Sequence, residues 1–348
     1  MSLLMNYEDQ RFTRIAQMVF EEQLRRDPGL ESQMDERRRK MMYDDVVYNL
    51  SFLMTSVYFS DGRIFEGYAR WLYELLCNLM KDLDRDRIMS EILADHAPEI
   101  LTGDELGKAA EYLDLAIAVT TEAVTDIELS TSFSEGDYYD IRKAYLDALL
   151  RSRTKNAHEI IRDARKQGVP LEHIYEKILR KVMHEIGELW HRNVITVDRE
   201  HYATSVTQTV MSGFFDEIFE SPRKNRTLIA CAVGSELHEM GIRMLSDMFE
   251  YQGWDTFYLG AALPGQAVVE AIGEHKPDLV ALSVTMPPYL SSCEGVVKAI
   301  RAAHPGVKIA VGGQAFDTTD ELWKKWDIDF YSPSAGELLR WAHKTFAA

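Results

Sequence analysis

A histidine two residues after one carboxylate and three before a glycine, in Glu236-Leu237-His238-Glu239-Met240-Gly241, has the type and spacing that suit metal ligation. A ligating imidazole needs its second ring nitrogen hydrogen-bonded, which fixes the tautomer and raises basicity, and Glu236 is placed to do that. Gly241 lets the backbone approach a bulky ligand. Three more clusters of small or hydroxyl-bearing residues follow: Gly260-Ala261-Ala262-Leu263-Pro264, Ser283-Val284-Thr285 and Gly312-Gly313-Gln314. The small residues leave a slot, and the hydroxyls of Ser283 and Thr285 can hydrogen-bond an inserted polar tail. Upstream, Trp190-His191 is followed by Glu200-His201, with nine residues between Trp190 and Glu200. That spacing can bring an aromatic ring, a carboxylate and two imidazoles onto one surface. His184-Glu185 with His191 lacks the spacing that sets two ligands on one helix face, so a zinc protease is excluded.

These residues need elements to position them. Short apolar runs at 227–233, 256–259, 279–284, 308–311 and 328–331 alternate with helical stretches at 240–251, 266–275, 290–303 and 335–345. Strands spaced by helices predict a doubly wound, parallel five-stranded sheet of flavodoxin or Rossmann-like type, with ligands at the carboxyl ends of its strands. The His238 loop and the three clusters that follow it fall at that edge. Before the polar linker SPRKNR at 221–226 the spacing is helical: 138–166, 171–190 and 197–219, with Pro170 suited to the first turn of the second helix. The polar segment TSFSEGD at 131–137 separates these from an earlier helical region. There, 44–58 ends at the SDGR turn and 64–83 resumes with Phe65, Tyr68, Trp71 and Leu72 along one face, the spacing of a core stripe. The expected organisation is α plus α/β: an N-terminal helical bundle over 1–133, a helical cap of four-helix type over 134–222, and the sheet domain over 223–348.

With 56 acidic against 39 basic side chains, the chain carries a formal charge of -17, a field that repels phosphate backbones and argues against direct nucleic-acid binding. Cys77, Cys231 and Cys293 have no paired spacing, which excludes a disulfide framework or a zinc ribbon. No signal-peptide pattern and no long apolar run is present, so no membrane partner is expected and the expected location is cytoplasmic.

On these residues the C-terminal part resembles the cobalamin-binding domain family, whose pattern is Asp-x-His-x-x-Gly followed by Ser-x-Leu and Gly-Gly. His238 and Gly241 match it, Ser283 and the Gly312-Gly313 pair match it, Glu236 stands where the family has Asp, and Thr285 where it has Leu. The resemblance implies His238 as the lower cobalt ligand, replacing the cofactor's own base, with the nucleotide tail in a slot bordered by Gly260, Leu263, Ser283, Thr285, Gly312 and Gly313. A flavodoxin-like receiver is the structural alternative. It would want acidic residues after the first strand and a phosphorylatable Asp after the third, where this chain has Ser283 and Thr285.

The Trp190, Glu200 and His201 spacing is similar to the W-x9-E-H cap of the CarH/LitR light-sensing branch. That likeness implies adenosylcobalamin as cofactor, Trp190 packing where the adenosyl group sits, and His191 as the upper ligand once light has broken the carbon–cobalt bond. The branch's gene regulators carry a MerR-type DNA-binding module, whereas the N-terminal segment here is helical, acidic and without a basic recognition helix. Output is therefore expected through a protein signalling partner or self-association. A corrinoid methyl carrier serving methyltransferases remains the second reading, and a bilin held as second chromophore, making a two-pigment sensor, the third.

Overall fold

The computed structural model describes residues 10–26, 29, 35–79, 85–99, 101–120 and 131–347. Among them, strands β1 (Thr227–Val233), β2 (Asp255–Leu263), β3 (Leu279–Ser283), β4 (Lys308–Gly312) and β5 (Phe330–Ser332) form one parallel sheet in the order β2-β1-β3-β4-β5. The chain reverses direction across the sheet between β1 and β3, so the crevice outside the carboxyl ends of these two strands is where such a fold receives a ligand. The sheet agrees with the sequence expectation in strand number, direction and layering. β2 runs longer than its apolar run suggested, because bulges opposite Cys231 and Val233 carry it on through Gly260 and Ala262, both at positive φ.

Alternating side chains divide each buried strand between two layers. Ile229, Cys231 and Val233 face a core shared with the helices after β2 and β3 and with the N-terminal helices; Leu228, Ala230 and Ala232 face a core shared with the helices after β1 and β5 and with the cap. The N-terminal helices are α1 (Gln10–Arg26), α2 (Glu36–Phe59), α3 (Arg63–Leu79), α4 (Arg85–His96) and α5 (Gly103–Val119). α2 stops where the sequence predicted, at Ser60, whose left-handed backbone caps the helix on Ser56 and Val57 carbonyls. The last residues expected in α3, 80–83, lie outside the described residues.

The stretch 138–166 is two helices, α6 (Tyr139–Leu150) and α7 (Thr154–Lys166), because Ser152 takes a left-handed conformation and turns α7 back along α6. α8 runs unbroken from Leu171–His173 through a π-helical turn, Ile174–Leu179, into Arg180–His191. α9 (Val197–Ser212) ends at Gly213, separating it from the short α10 (Phe215–Phe219). The polar 131–137 segment is packed rather than loose: Phe133 is buried, and the buried Arg142 guanidinium donates to the carbonyls of Phe133, Glu135 and Asp137. The helices of the sheet layer are α11 (Met240–Tyr251), α12 (Gly265–His275), α13 (Leu290–Ala303) and α14 (Ala335–Thr345).

Polar contacts hold the cap on the second layer. Tyr175 donates to Asp247 at 2.9 Å, Gln252 to Glu172 at 2.6 Å, and the Gly336 amide to Glu176 at 2.8 Å. No described helix is long and apolar enough to cross a membrane.

Candidate functional site

β1 delivers its chain to the crevice through Gly234, at φ 78°, where a β-carbon would lie 2.7 Å from the Tyr289 ring. Only glycine allows that turn and that contact together. Two residues on, Glu236 is buried and uses both carboxylate oxygens. One lies 3.0 Å from His238 Nδ1; the other accepts the Thr285 amide at 2.8 Å and the Met286 amide at 3.4 Å. Glu236 therefore staples the loop after β1 to the loop after β3. Residue 285 serves this staple through its backbone, which is why Thr can stand at that position without disturbing it.

An ionised carboxylate accepts, so Nδ1 of His238 carries the proton and Nε2 is the nitrogen left to ligate. The His238 side chain is 62% exposed, so the ring stands open to solvent. The hydrogen bond to Glu236 pushes the His238 pKa up, desolvation works against the shift, and the charges of Glu236 and Glu200 add to the rise. Glu200 belongs to the cap, so a cap carboxylate acts on the imidazole at the sheet edge.

The strand register lines up the remaining sheet residues. Ala232, Ser283, Gly312 and Ser332 form one row across β1, β3, β4 and β5, and Val233 pairs with Leu263 one step beyond. A β-carbon on Gly313 would fall 2.2 Å from the Val284 carbonyl oxygen, and one on Gly312 2.5 Å from that of Ser332. Close backbone approach is thus what this Gly-Gly pair makes possible. Gly241 sits in the first turn of α11 with open space around its β-carbon position, and the Gly260 position looks toward the Glu239 carboxylate, which accepts from Tyr258 at 2.7 Å.

In the cap, Trp190 and His191 end α8 and Glu200 and His201 lie in the first turns of α9. Glu200 accepts from Thr204 at 2.9 Å and contacts His201 Nδ1 at 2.6 Å, while the His201 side chain is largely exposed. His191 is only 6% exposed and faces the N-terminal helix α3. Its Nε2 donates to the Trp71 carbonyl at 2.8 Å, and its ring stacks on Trp71 with centroids 5.0 Å apart and planes 15° apart. Trp190 meets the same Trp71 ring at 6.4 Å.

The fold thus brings together Glu236, His238 and Thr285, aligns Ser283 with Gly312, and sets the charge of Glu200 near His238. It sets His191 and Trp190 against Trp71, a residue that sequence reasoning placed in a core stripe. The helical spacing was correct, but Trp71 is 40% exposed while Phe65 and Tyr68 beside it are buried. Met286 and Tyr289 were also missed; they act through a backbone amide and through a packing face, which residue type does not signal.

Among the described residues no three His, Cys, Asp or Glu side chains group as a metal-ion site. One presented imidazole with an anchored second nitrogen fits instead a metal that arrives with its equatorial ligands in place, as cobalt does in a corrin. Comparison with known proteins agrees. A family model described as a B12 binding domain matches residues 226–338, and a second of the same description matches residues 141–212. The chain is similar to the HTH-type transcriptional repressor CarA of Myxococcus xanthus, 32% identical over 120 residues that make up 34% of this chain and 41% of CarA. It is 27% identical over 144 residues to CarH of the same organism, 40% of this chain and 47% of CarH, so it spans less than half of either repressor. It is also similar to dimethylamine corrinoid protein 3 of Methanosarcina acetivorans, 23% identical over 196 residues, 56% of this chain and 91% of that protein. The solved structure of the Methanosarcina barkeri monomethylamine corrinoid protein has the same fold at a TM-score of 0.53 and 20% identity, covering 59% of this chain and 98% of that one.

Proposed function

This chain belongs to the B12-binding domain family and is a cobalamin-binding protein; from that premise we propose that it is a light-responsive signalling protein loaded with adenosylcobalamin. Bound, that cofactor supplies a cobalt–carbon bond which green or blue light cleaves. His238 would hold the cobalt through Nε2, with Glu236 keeping its ring in register, and Ser283, in the row with Gly312 and Ser332, would donate to the nucleotide tail. Trp190 and Glu200, from α8 and α9, would cover the adenosyl group, and His191 would be the candidate ligand once that group has left.

One observation carries this reading: Trp190 and His191 at the end of α8 and Glu200 and His201 at the start of α9 have the light-sensing spacing and lie together on the cap. On this reading the signal leaves through a protein partner or a change in self-association. CarA and CarH, whose names describe HTH-type transcriptional repressors, match 34% and 40% of this chain.

A second reading is a corrinoid carrier that passes methyl groups between methyltransferases. It is favoured by the match to nine tenths of the dimethylamine corrinoid protein's length. Absorption spectra of the purified chain with adenosylcobalamin and with methylcobalamin, before and after green illumination, separate the two. A sensor converts the adenosyl form to a stable, spectrally distinct lit state in the absence of any partner. A carrier's adenosylcobalamin is photolysed as well, because the bond is labile in itself, but it gives the ordinary aquated product instead of a two-imidazole spectrum, and the chain exchanges methyl groups once a methyltransferase is added. Absorption unrelated to cobalamin would reveal a bilin or other second pigment.

A further inference from the structure

α3 touches both walls of the cleft. Near its start, Asp61 accepts the Asp320 amide at 2.6 Å, Arg63 pairs with the Asp320 carboxylate, and the Gly67 β-carbon position lies 3.5 Å from Thr318. Those contacts hold the segment that leaves β4 at Gly312-Gly313. Further along, Trp71 holds the cap through the His191 hydrogen bond and stack, and the Asn78 carbonyl accepts from Asn193 at 3.3 Å. A helix of 17 residues, about 25 Å long at 1.5 Å per residue, spans from the sheet edge to the cap. From Trp71 an aromatic column continues inward: Tyr68 stacks on it at 6.2 Å, and Phe52 of α2 stacks on Tyr68 at 3.8 Å.

We infer that Trp71 is the stop that stores His191 away from the cleft, and that α3 carries its release to the N-terminal bundle. This rests on the light-sensing reading above. The physical reason is exclusive use of one nitrogen. A carbonyl can only accept, so Nε2 of His191 holds its proton there and has no lone pair to give a metal. Ligation through Nε2 therefore requires the contact with the Trp71 carbonyl to break, and a ring stacked flat on the indole must leave it to turn. Binding that draws His191 away destabilises the α3 contact, and by reciprocity weakening that contact makes His191 easier to draw away. Since the same helix grips the 314–320 segment, the N-terminal bundle senses both walls of the site at once.

Two arms test this in the full chain. Without cofactor, diethyl pyrocarbonate labelling of His191, read by mass spectrometry, should speed up several-fold in Trp71→Ala, which keeps the carbonyl but removes the ring that holds His191 against it, and less in Trp71→Phe, which keeps a ring to stack. An unchanged rate in Trp71→Ala overturns the stop. With adenosylcobalamin, hydrogen exchange across 63–79 and 314–320 should rise on illumination. In His191→Ala it should already be high in the dark and no longer respond. A lit spectrum that develops while exchange at 63–79 stays at its dark value overturns the coupling and leaves the sensor reading intact. Loss of any spectral response to light overturns the sensor reading itself and takes the coupling with it, while the labelling arm still judges the stop.

Discussion

The two candidate cobalt ligands are held in opposite ways. His238 is 62% exposed and anchored by a carboxylate two residues away; His191 is 6% exposed and tied to a carbonyl 120 positions earlier in the chain. The first is presented by a loop that the sheet itself fixes, with Glu236 stapled to the Thr285 amide and Gly234 packed under Tyr289. The second is withheld by a helix from another part of the molecule. A ligand meant to be permanent can be organised by its immediate neighbours. One meant to be used on demand needs a competing partner, and a competitor able to report the change must come from elsewhere in the fold.

Breaking the lower side should have the largest effect. His238→Ala is expected to abolish the His-on absorption and lower cobalamin affinity by about 100-fold or more, beyond the 10–100-fold usual for losing an outer partner of a metal-bound imidazole. Titration with cobalamin followed by absorption measures both, and unchanged affinity would remove His238 from the site. Glu236→Ala should fall in that 10–100-fold range. It should also destabilise the cofactor-free chain by about 1–3 kcal/mol, because the Thr285 amide loses its acceptor. Glu236→Gln keeps one acceptor oxygen where Glu236 uses two, so either His238 or the Thr285 amide loses its acceptor, and it should lie between; thermal denaturation beside the titration would expose any departure from that order.

The upper side should respond differently. Trp190→Ala is expected to leave the lower ligation spectrum intact and change the photolysis rate several-fold, so equal rates in flash photolysis would argue against Trp190 covering the adenosyl side. The smallest effect concerns the seam between the two sides, where Tyr175 of the cap donates to Asp247 of α11. Burial raises the Asp247 pKa from 3.8 to about 6, against the hydrogen bond from Tyr175 and the charge of Arg243. Between these values the folded chain holds a proton that the unfolded chain has lost, so this contribution to stability falls as pH rises from about 4 to 6 and is level above that. Asp247→Asn should flatten the dependence and stabilise the chain at pH 7 by at most about 3 kcal/mol, given roughly 1.4 kcal/mol per pKa unit. Denaturant melts at pH 5 and 7 decide it; an unaltered pH slope would place the titration elsewhere.

Much of the lower side was legible because its causes are local. The Glu236 to His238 spacing, the strand runs and the glycines at strand ends each impose their geometry within a few residues. Helix breaks were less legible. Ser152 and Gly213 divide helices that apolar spacing alone reads as continuous, since a three- or four-residue rhythm survives a tight reversal when both helices pack on one core.

By itself, then, the sequence determined the family, the parallel sheet and the imidazole offered at its edge, because alternating burial and a short ligand motif act over a few residues of chain. Tertiary structure alone decided that Glu200 acts on His238 and that His191 rests on Trp71. Those meetings join segments far apart in the chain, and their cause is that the cap and the N-terminal helices pack on opposite faces of one sheet and close over the same edge.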